Sequence, residues 1–370
     1  MPDALDIELV NKTNSNTVYA YVTGLALDNN NAWFLLQADG KAPFYPSSPP
    51  SIGTPVPADC AILLNGPGAA ARTITIPHIA GGRIYLSVDQ RLTFLLNPGP
   101  ALVEPSVTNP SDPNINTNWG FCEFTWNNDQ LYANISYVDF VSLPIALALI
   151  TGSGETKEVH GLAPDGLETI AAGLEQQTAT DNQGWNSLIV KDQSSGQTLR
   201  VLSPNQGIVM NPSLFAGYFE PFINQVWSKY NQTDLQVDYG SGSAQGRVSG
   251  NDLTLNNHRF SKPSTRDIFN ASSGPFVTGS DGTRNAIIPR LNAELNRSTM
   301  LSNERIPTTP DNHYREGVTN HYARLVHAAN VDGRGYAHPY DDVAPAGGPD
   351  QSGFVNDGRP RLLRVSVGGG

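Results

Sequence analysis

From Leu5 to Leu96 the apolar positions recur at every second residue in short runs. "LDIELVN", "TVYAYVTG", "AWFLLQ", "RTITIP", "RIYLSV" and "LTFLL" favour β-branched and aromatic residues, which suit a pleated, half-buried surface. Turn-forming clusters such as "APFYPSSPPSIGTPVP" and "LNPGP" separate them. Many short strands at close spacing predict an antiparallel sandwich or barrel.

Beyond Glu155 the period changes. In "APDGLETIAAGLEQQ", Leu167, Ile170, Ala171 and Leu174 fall on one helical face. Asp165 with Glu168 makes the pattern of a capping box. "MNPSLFAGYFEPFINQVWSKY" predicts a helix capped by Asn211, with Pro212 at its first position and Pro221 kinking or splitting it. "RNAIIPRLNAELNRSTM" stacks Ile287, Ile288, Leu291 and Leu295, and "LQVDYGSGSAQGRVSGNDLTLN" reads as a β-hairpin between these helices. The chain ends on an alternating strand, "RLLRVSV". The fold class is therefore mainly β with an α/β insertion. Residues 1–152 form a β domain completed by a C-terminal strand within 328–370, and 153–327 form a mixed α/β inserted domain. A groove between two such parts is the natural place for a ligand.

Composition narrows the function classes. The formal net charge is −11, which argues against nucleic-acid or anionic-membrane partners, since both need basic patches. A neutral polymer or a small ligand fits instead. Cys60 and Cys122 either pair as a disulfide or sit as small buried hydrophobes. The start, "MPDALDIELV", has no apolar signal region. "FVSLPIALALI" is shorter than the ~20 residues a spanning helix needs. Five Asn-x-Ser/Thr sequons, at Asn11, Asn134, Asn231, Asn270 and Asn296, fit a secreted protein. The histidines show no metal spacing, "GSGSAQG" lacks the Lys-Ser/Thr of a phosphate loop, and no G-x-S-x-G elbow is present.

The chemistry concentrates in "FCEFTWNNDQLYANISYVDF". Two strands joined by "NNDQ" each carry one carboxylate, Glu123 and Asp139. A two-residue turn at Asn128–Asp129 sets Glu123 opposite Asn134. Regular continuation would then carry Asp139 roughly 16 Å further along its strand and onto the other face. A pair of glycosidase carboxylates stands about 5–10 Å apart, so ideal pairing does not bring these two together without a bulge or strong twist.

"EFTW…YANISYVDFVSLP", with "GRIYLS" at Gly82–Ser87, resembles the strand signature of thaumatin-like proteins. "NPSDPNINTNWGFCEFTWN" (Asn109–Asn127), "KPSTRDIFNASSGPF" (Lys262–Phe276), "LNRST" (Leu295–Thr299), "NHYARLVH" (Asn320–His327) and "GYAHPYDDV" (Gly335–Val343) resemble glycoside hydrolase family 64. These are β-1,3-glucanases that release short oligosaccharides from laminarin-type glucans. The resemblance implies a thaumatin-like β-sandwich or barrel plus an α/β domain, with a wide groove between them. It implies Glu123 as general acid and Asp139 as general base of an inverting mechanism, with no metal or organic cofactor. It also implies an enzyme acting on a β-1,3-glucan polysaccharide; a secreted protein that works as a monomer is the accompanying expectation. Thr125 and Asn127 match positions that hydrogen-bond sugar hydroxyls. Tyr132 or Trp126 offers a ring for stacking on a pyranose, although Trp119 and Trp126 read first as packing residues. Arg83 is either a cleft residue or a structural partner of Asp341 or Asp342, and Asp341 counts among the candidate binding residues. The competing class is a non-catalytic glucan-binding or antifungal protein of the same fold.

Overall fold

The protein is described by a computed structural model covering residues 4–369. Among these residues, five sheets carry the architecture. The first runs Thr156–Val159, Ile145–Thr151, Pro360–Val367, Leu5–Asn11, Arg72–Ile76 in spatial order. Pro360–Val367 lies parallel to Leu5–Asn11, with Leu9 opposite Val365, so the two ends of the chain meet in one sheet.

The eight-stranded sheet runs Phe354–Asp357, Leu131–Asn134, Asn118–Trp126, Ile79–Val88, Val18–Ala26, Ala32–Leu36, Pro43–Phe44, with Ile62–Leu63 also paired to Val18–Ala26. Alternation along Asn118–Trp126 explains its position. Cys122, Phe124 and Trp126 point into the same buried cluster that holds Ile7, Leu9, Leu149 and Val365 of the first sheet. Glu123 and Thr125 take the other face and stay partly exposed. Gly82 lies opposite Phe124, where a Cβ would come 2.5 Å from the ring, so a larger residue cannot enter there without moving Phe124.

The middle of the chain supplies a sheet of His258–Ser261, Asp252–Leu255, Ser243–Ser249, Leu235–Asp238 and Arg305–Ile306, together with helices. Helix Gly166–Asp181 buries Ile170, Ala171 and Leu174 as its period predicts. The expected capping box is absent: the Asp165 side chain makes no cap bond, and Glu168 accepts the Thr198 hydroxyl instead. The helix expected from Asn211 is also displaced. Pro204–Met210 forms one helix, Asn211 ends it, and the next begins at Glu220. Pro221 then sits in the first turn, where its missing N–H costs nothing.

Both cysteines are free and buried. The sequons at Asn11 and Asn296 are buried at 5% and 0% exposure, and the Asn296 amide is spent on Ile268 O and Asn292 O. No helix among the described residues is long and apolar enough to cross a membrane.

Candidate active site

The site is built on one row of the eight-stranded sheet. Thr23 pairs with Arg83, and Arg83 pairs with Glu123, so three side chains stand abreast on the face turned away from the core. Glu123 also lies directly opposite Asn134, as the two-residue turn requires. Asn127 closes that turn: its Oδ1 accepts the backbone N–H groups of Asp129 and Gln130. Its Oδ1 is therefore spent on the turn, and Asn127 is not among the residues that line the two pockets of this site.

The path to Asp139 departs from a regular strand. Pairing with Asn118–Trp126 stops at Asn134. Ser136 then forms a parallel bridge with Tyr336, and Tyr137 N–H donates to Tyr336 O at 2.8 Å. The chain bends at Val138–Asp139, and Phe140–Val141 joins a different sheet by pairing with Val201–Leu202. The straight extension that would separate the carboxylates does not occur.

Two adjoining pockets result. One, of about 460 Å³, is lined by Leu25, Trp33, Arg83, Glu104, Glu123, Thr125, Tyr132 and Asn134 among others. The second, of about 150 Å³, is lined by Arg83, Phe121, Asp139 and Gln206 among others. Arg83 belongs to both walls, and Phe121 lies two residues from Glu123 on the same strand face. The Phe121 and Phe140 ring centroids are 5.8 Å apart, an aromatic partition beside Asp139. Depressions of about 350 and 410 Å³ elsewhere present one carboxylate each, Glu158 and Asp59.

Hydrogen bonds fix the two acids differently. Arg83 Nε donates to Glu123 Oε1 at 3.2 Å, while Arg83 Nη1 donates to Glu104 Oε2 at 2.7 Å. Burial opposes the guanidinium charge, but Tyr85, Glu104 and Glu123 outweigh it and hold Arg83 above its usual range. Asp139 Oδ1 accepts the Gln206 carboxamide at 2.6 Å.

The remaining expected residues divide. Thr125 and Tyr132 line the larger pocket, with Tyr132 stacked on Phe354 at 5.0 Å and 23°. Trp126 is fully buried and packs against His78 at 5.0 Å, so it is core and not a sugar platform. Arg83 does not pair with Asp341 or Asp342. Asp341 is 0% exposed, bonded to Arg297 at 3.1 Å and His327 at 3.0 Å, so it is a structural residue and not a groove contact.

Sequence reasoning missed Trp33, Glu104 and Gln206. Trp33 is half-buried at the groove, opposite Leu25 in a ladder between Val18–Ala26 and Ala32–Leu36. Its place in the alternating "AWFLLQ" was a usable signal. Glu104 and Gln206 reach the site only through tertiary packing.

A family model described as beta-1,3-glucanase, glycoside hydrolase family 64, matches residues 3–367. Glucan endo-1,3-beta-glucosidases of Arthrobacter sp. (strain YCWD3) and of Cellulosimicrobium cellulans are each 30% identical over 383 aligned residues, covering 99% of this chain. The chain spans 65% of the length of these relatives. A solved laminaripentaose-producing beta-1,3-glucanase in complex with laminaritetraose matches at TM-score 0.87 and 31% identity, covering 99% of both chains. A beta-1,3-glucanase domain from Clostridium beijerinckii matches at TM-score 0.75 and 23% identity, over 99% of this chain and 98% of that one. That second likeness speaks for the fold alone. With 365 of its residues, 3 to 367, matched by one family model and the same fold over its whole length, this chain belongs to the beta-1,3-glucanase family, glycoside hydrolase family 64.

Proposed function

We propose that the protein is an endo-acting hydrolase of β-1,3-glucan that releases short oligosaccharides with inversion at the anomeric carbon. The observation that carries this reading is the pair of pockets that share Arg83, one lined by Glu123 and the other by Asp139.

A glycosidic oxygen leaves poorly unless it is protonated as its bond breaks. Glu123, with Oε1 held by Arg83, has its other oxygen free of protein donors among the described residues and can deliver that proton. Asp139 accepts a proton from a water attacking the opposite face of the sugar, and the Gln206 bond orients it for this. An inverting pair needs about 6.5–9.5 Å between carboxyls to admit that water. Trp33 and Tyr132 supply flat faces for pyranose rings, and Thr125 and Asn134 supply polar groups for hydroxyls.

The mechanism requires no metal or organic cofactor. The net charge of −11 suits a neutral polysaccharide partner and not a nucleic acid or membrane surface. The protein acts as a secreted monomer in this reading, since its substrate is a polymer too large to enter a cell.

The test is a reducing-sugar assay on laminarin with wild type and Glu123→Gln, paired with a glucan pull-down. Loss of hydrolysis with retained binding is the expected outcome. Absence of turnover by the wild type on every β-1,3-glucan tried would contradict the reading.

A further inference from the structure

Two carboxylates share one guanidinium at the larger pocket, and their surroundings are unequal. Glu104 Oε2 takes the 2.7 Å bond from Arg83, and its Oε1 accepts the hydroxyl of Thr23 at 3.0 Å. Thr23 is 0% exposed, so that donor is fixed. Glu123 receives one bond, at 3.2 Å, and its side chain is 36% exposed against 22% for Glu104. One guanidinium balances one carboxylate. The anion belongs where the donors are more numerous and closer.

We propose that Glu104 is the standing counter-ion of Arg83, so that Glu123 is the member of this trio that carries the proton. The inference rests on the reading of Glu123 as the acid. Glu104 is a positioning residue: it acts through Arg83 and not on the sugar. Without it, Arg83, the one cation in contact with Glu123 among the described residues, would hold that carboxyl as its anion, the form that has no proton to give.

The other groups facing Glu123 leave this arrangement intact. Strand Ile79–Val88 presents Arg83 and Tyr85, and strand Leu131–Asn134 presents Tyr132. Burial pushes the Tyr85 hydroxyl above its usual range and Tyr132 up to about 12, so neither adds a charge at working pH. Asp342 and Asp350 stand beyond Tyr132, and Asp139 lies in the adjoining pocket past Phe121.

Glu104→Gln keeps the shape and an acceptor for Thr23 while removing the anion. Glu123 then faces Arg83 alone, and an opposite charge in contact favours the anionic form of a carboxyl. The basic limb of the kcat/KM profile on laminarin should move to lower pH by about one unit or more. Above that limb the loss is about tenfold or greater, while the acidic limb stays where it is in the wild type. Arg83→Met should move the same limb to higher pH, and it decides the question if Glu104→Gln does not fold. A basic limb that stays in place in a folded variant overturns the inference, whatever the overall loss of activity. Glu123→Gln separates the two levels: an inactive Glu123→Gln with an unmoved limb removes this inference alone, whereas an active one removes the reading beneath it.

Discussion

Gln206 donates its carboxamide N–H to Asp139 Oδ1 across 2.6 Å, and the backbone N–H of Ser203 closes on Asp139 O at 2.9 Å. Ser203 is also the cap of helix Pro204–Met210, accepting the Gln206 N–H at 3.4 Å. The cap fixes where the first turn begins, and that fixes where Gln206 points. The candidate base is thus oriented by a helix in the middle of the chain, while the candidate acid is oriented by the eight-stranded sheet. Gln206→Leu should lower kcat by about 10- to 100-fold through misplacement of Asp139, with KM within about twofold of wild type. Steady-state kinetics on laminarin give both quantities. An unchanged kcat would mean that Asp139 needs no such support.

Trp33 and Tyr132 line the groove with partly exposed rings, whereas Trp126 is sealed in the core. Aromatic stacking of about 0.5–1.5 kcal/mol makes Trp33→Ala raise KM by roughly two- to tenfold with kcat nearly constant. Trp126→Phe should lower the thermal midpoint and leave KM alone. A KM change in Trp126→Phe, with none in Trp33→Ala, would reverse these assignments.

Asp341 anchors the loop that receives Ser136. Its carboxylate meets Arg297 at 3.1 Å and His327 at 3.0 Å, and accepts the Ala337 N–H at 3.0 Å. His338 Nε2 lies 3.0 Å from Asp341 Oδ1, the oxygen that also meets Arg297. Arg297 also donates to Glu294, and all three of Arg297, Glu294 and Asp341 are 0% exposed. Breaking a buried pair leaves an uncompensated charge, so Asp341→Ala should cost about 3–5 kcal/mol in a urea titration. Because Tyr336 bridges Ser136, activity should fall with stability. Wild-type stability in this variant would show that the cluster relaxes without loss.

His321 couples stability to pH. Arg324 Nε can only donate, so His321 Nδ1 must accept it at 3.1 Å, and the ring hydrogen sits on Nε2, which donates to Gly317 O at 3.1 Å. Burial first, and then Arg324, lower its pKa from 6.5 to about 4. The unfolded chain therefore takes up a proton between pH 6.5 and about 4 that the folded protein refuses. Stability falls as pH drops through that window. His321→Gln should flatten the slope of unfolding free energy over the same interval. Equal slopes for variant and wild type would contradict the assignment.

How much of this was legible in the sequence depends on the range of the forces involved. Leu5–Asn11 forms the strand its alternation predicts, and Ile170, Ala171 and Leu174 face inward at the helical period. These outcomes are set by neighbours two to four residues away. The register of Glu123 on Asn134 was equally readable, because the turn at Asn127–Gln130 is local. Asp139 was not: its position follows from Tyr336 and from Val201–Leu202, partners far along the chain that interrupt the strand. The same holds for Arg83, whose partners are Glu104 and Glu123 and not the acidic pair of "YDDV". Trp126 failed as a platform for a simpler reason. It follows Glu123 by three residues, and an odd step in a strand turns a side chain to the other face.

The most direct test of the central claim is proton NMR of a laminarin digest followed from its first turnovers. Hydrolysis of a β-linkage across Glu123 and Asp139 by inversion predicts that new reducing ends emerge as the α-anomer and only later mutarotate. Glu123→Gln and Asp139→Asn should each produce no such signal. New ends emerging as the β-anomer, or undiminished turnover in either variant, would contradict the account.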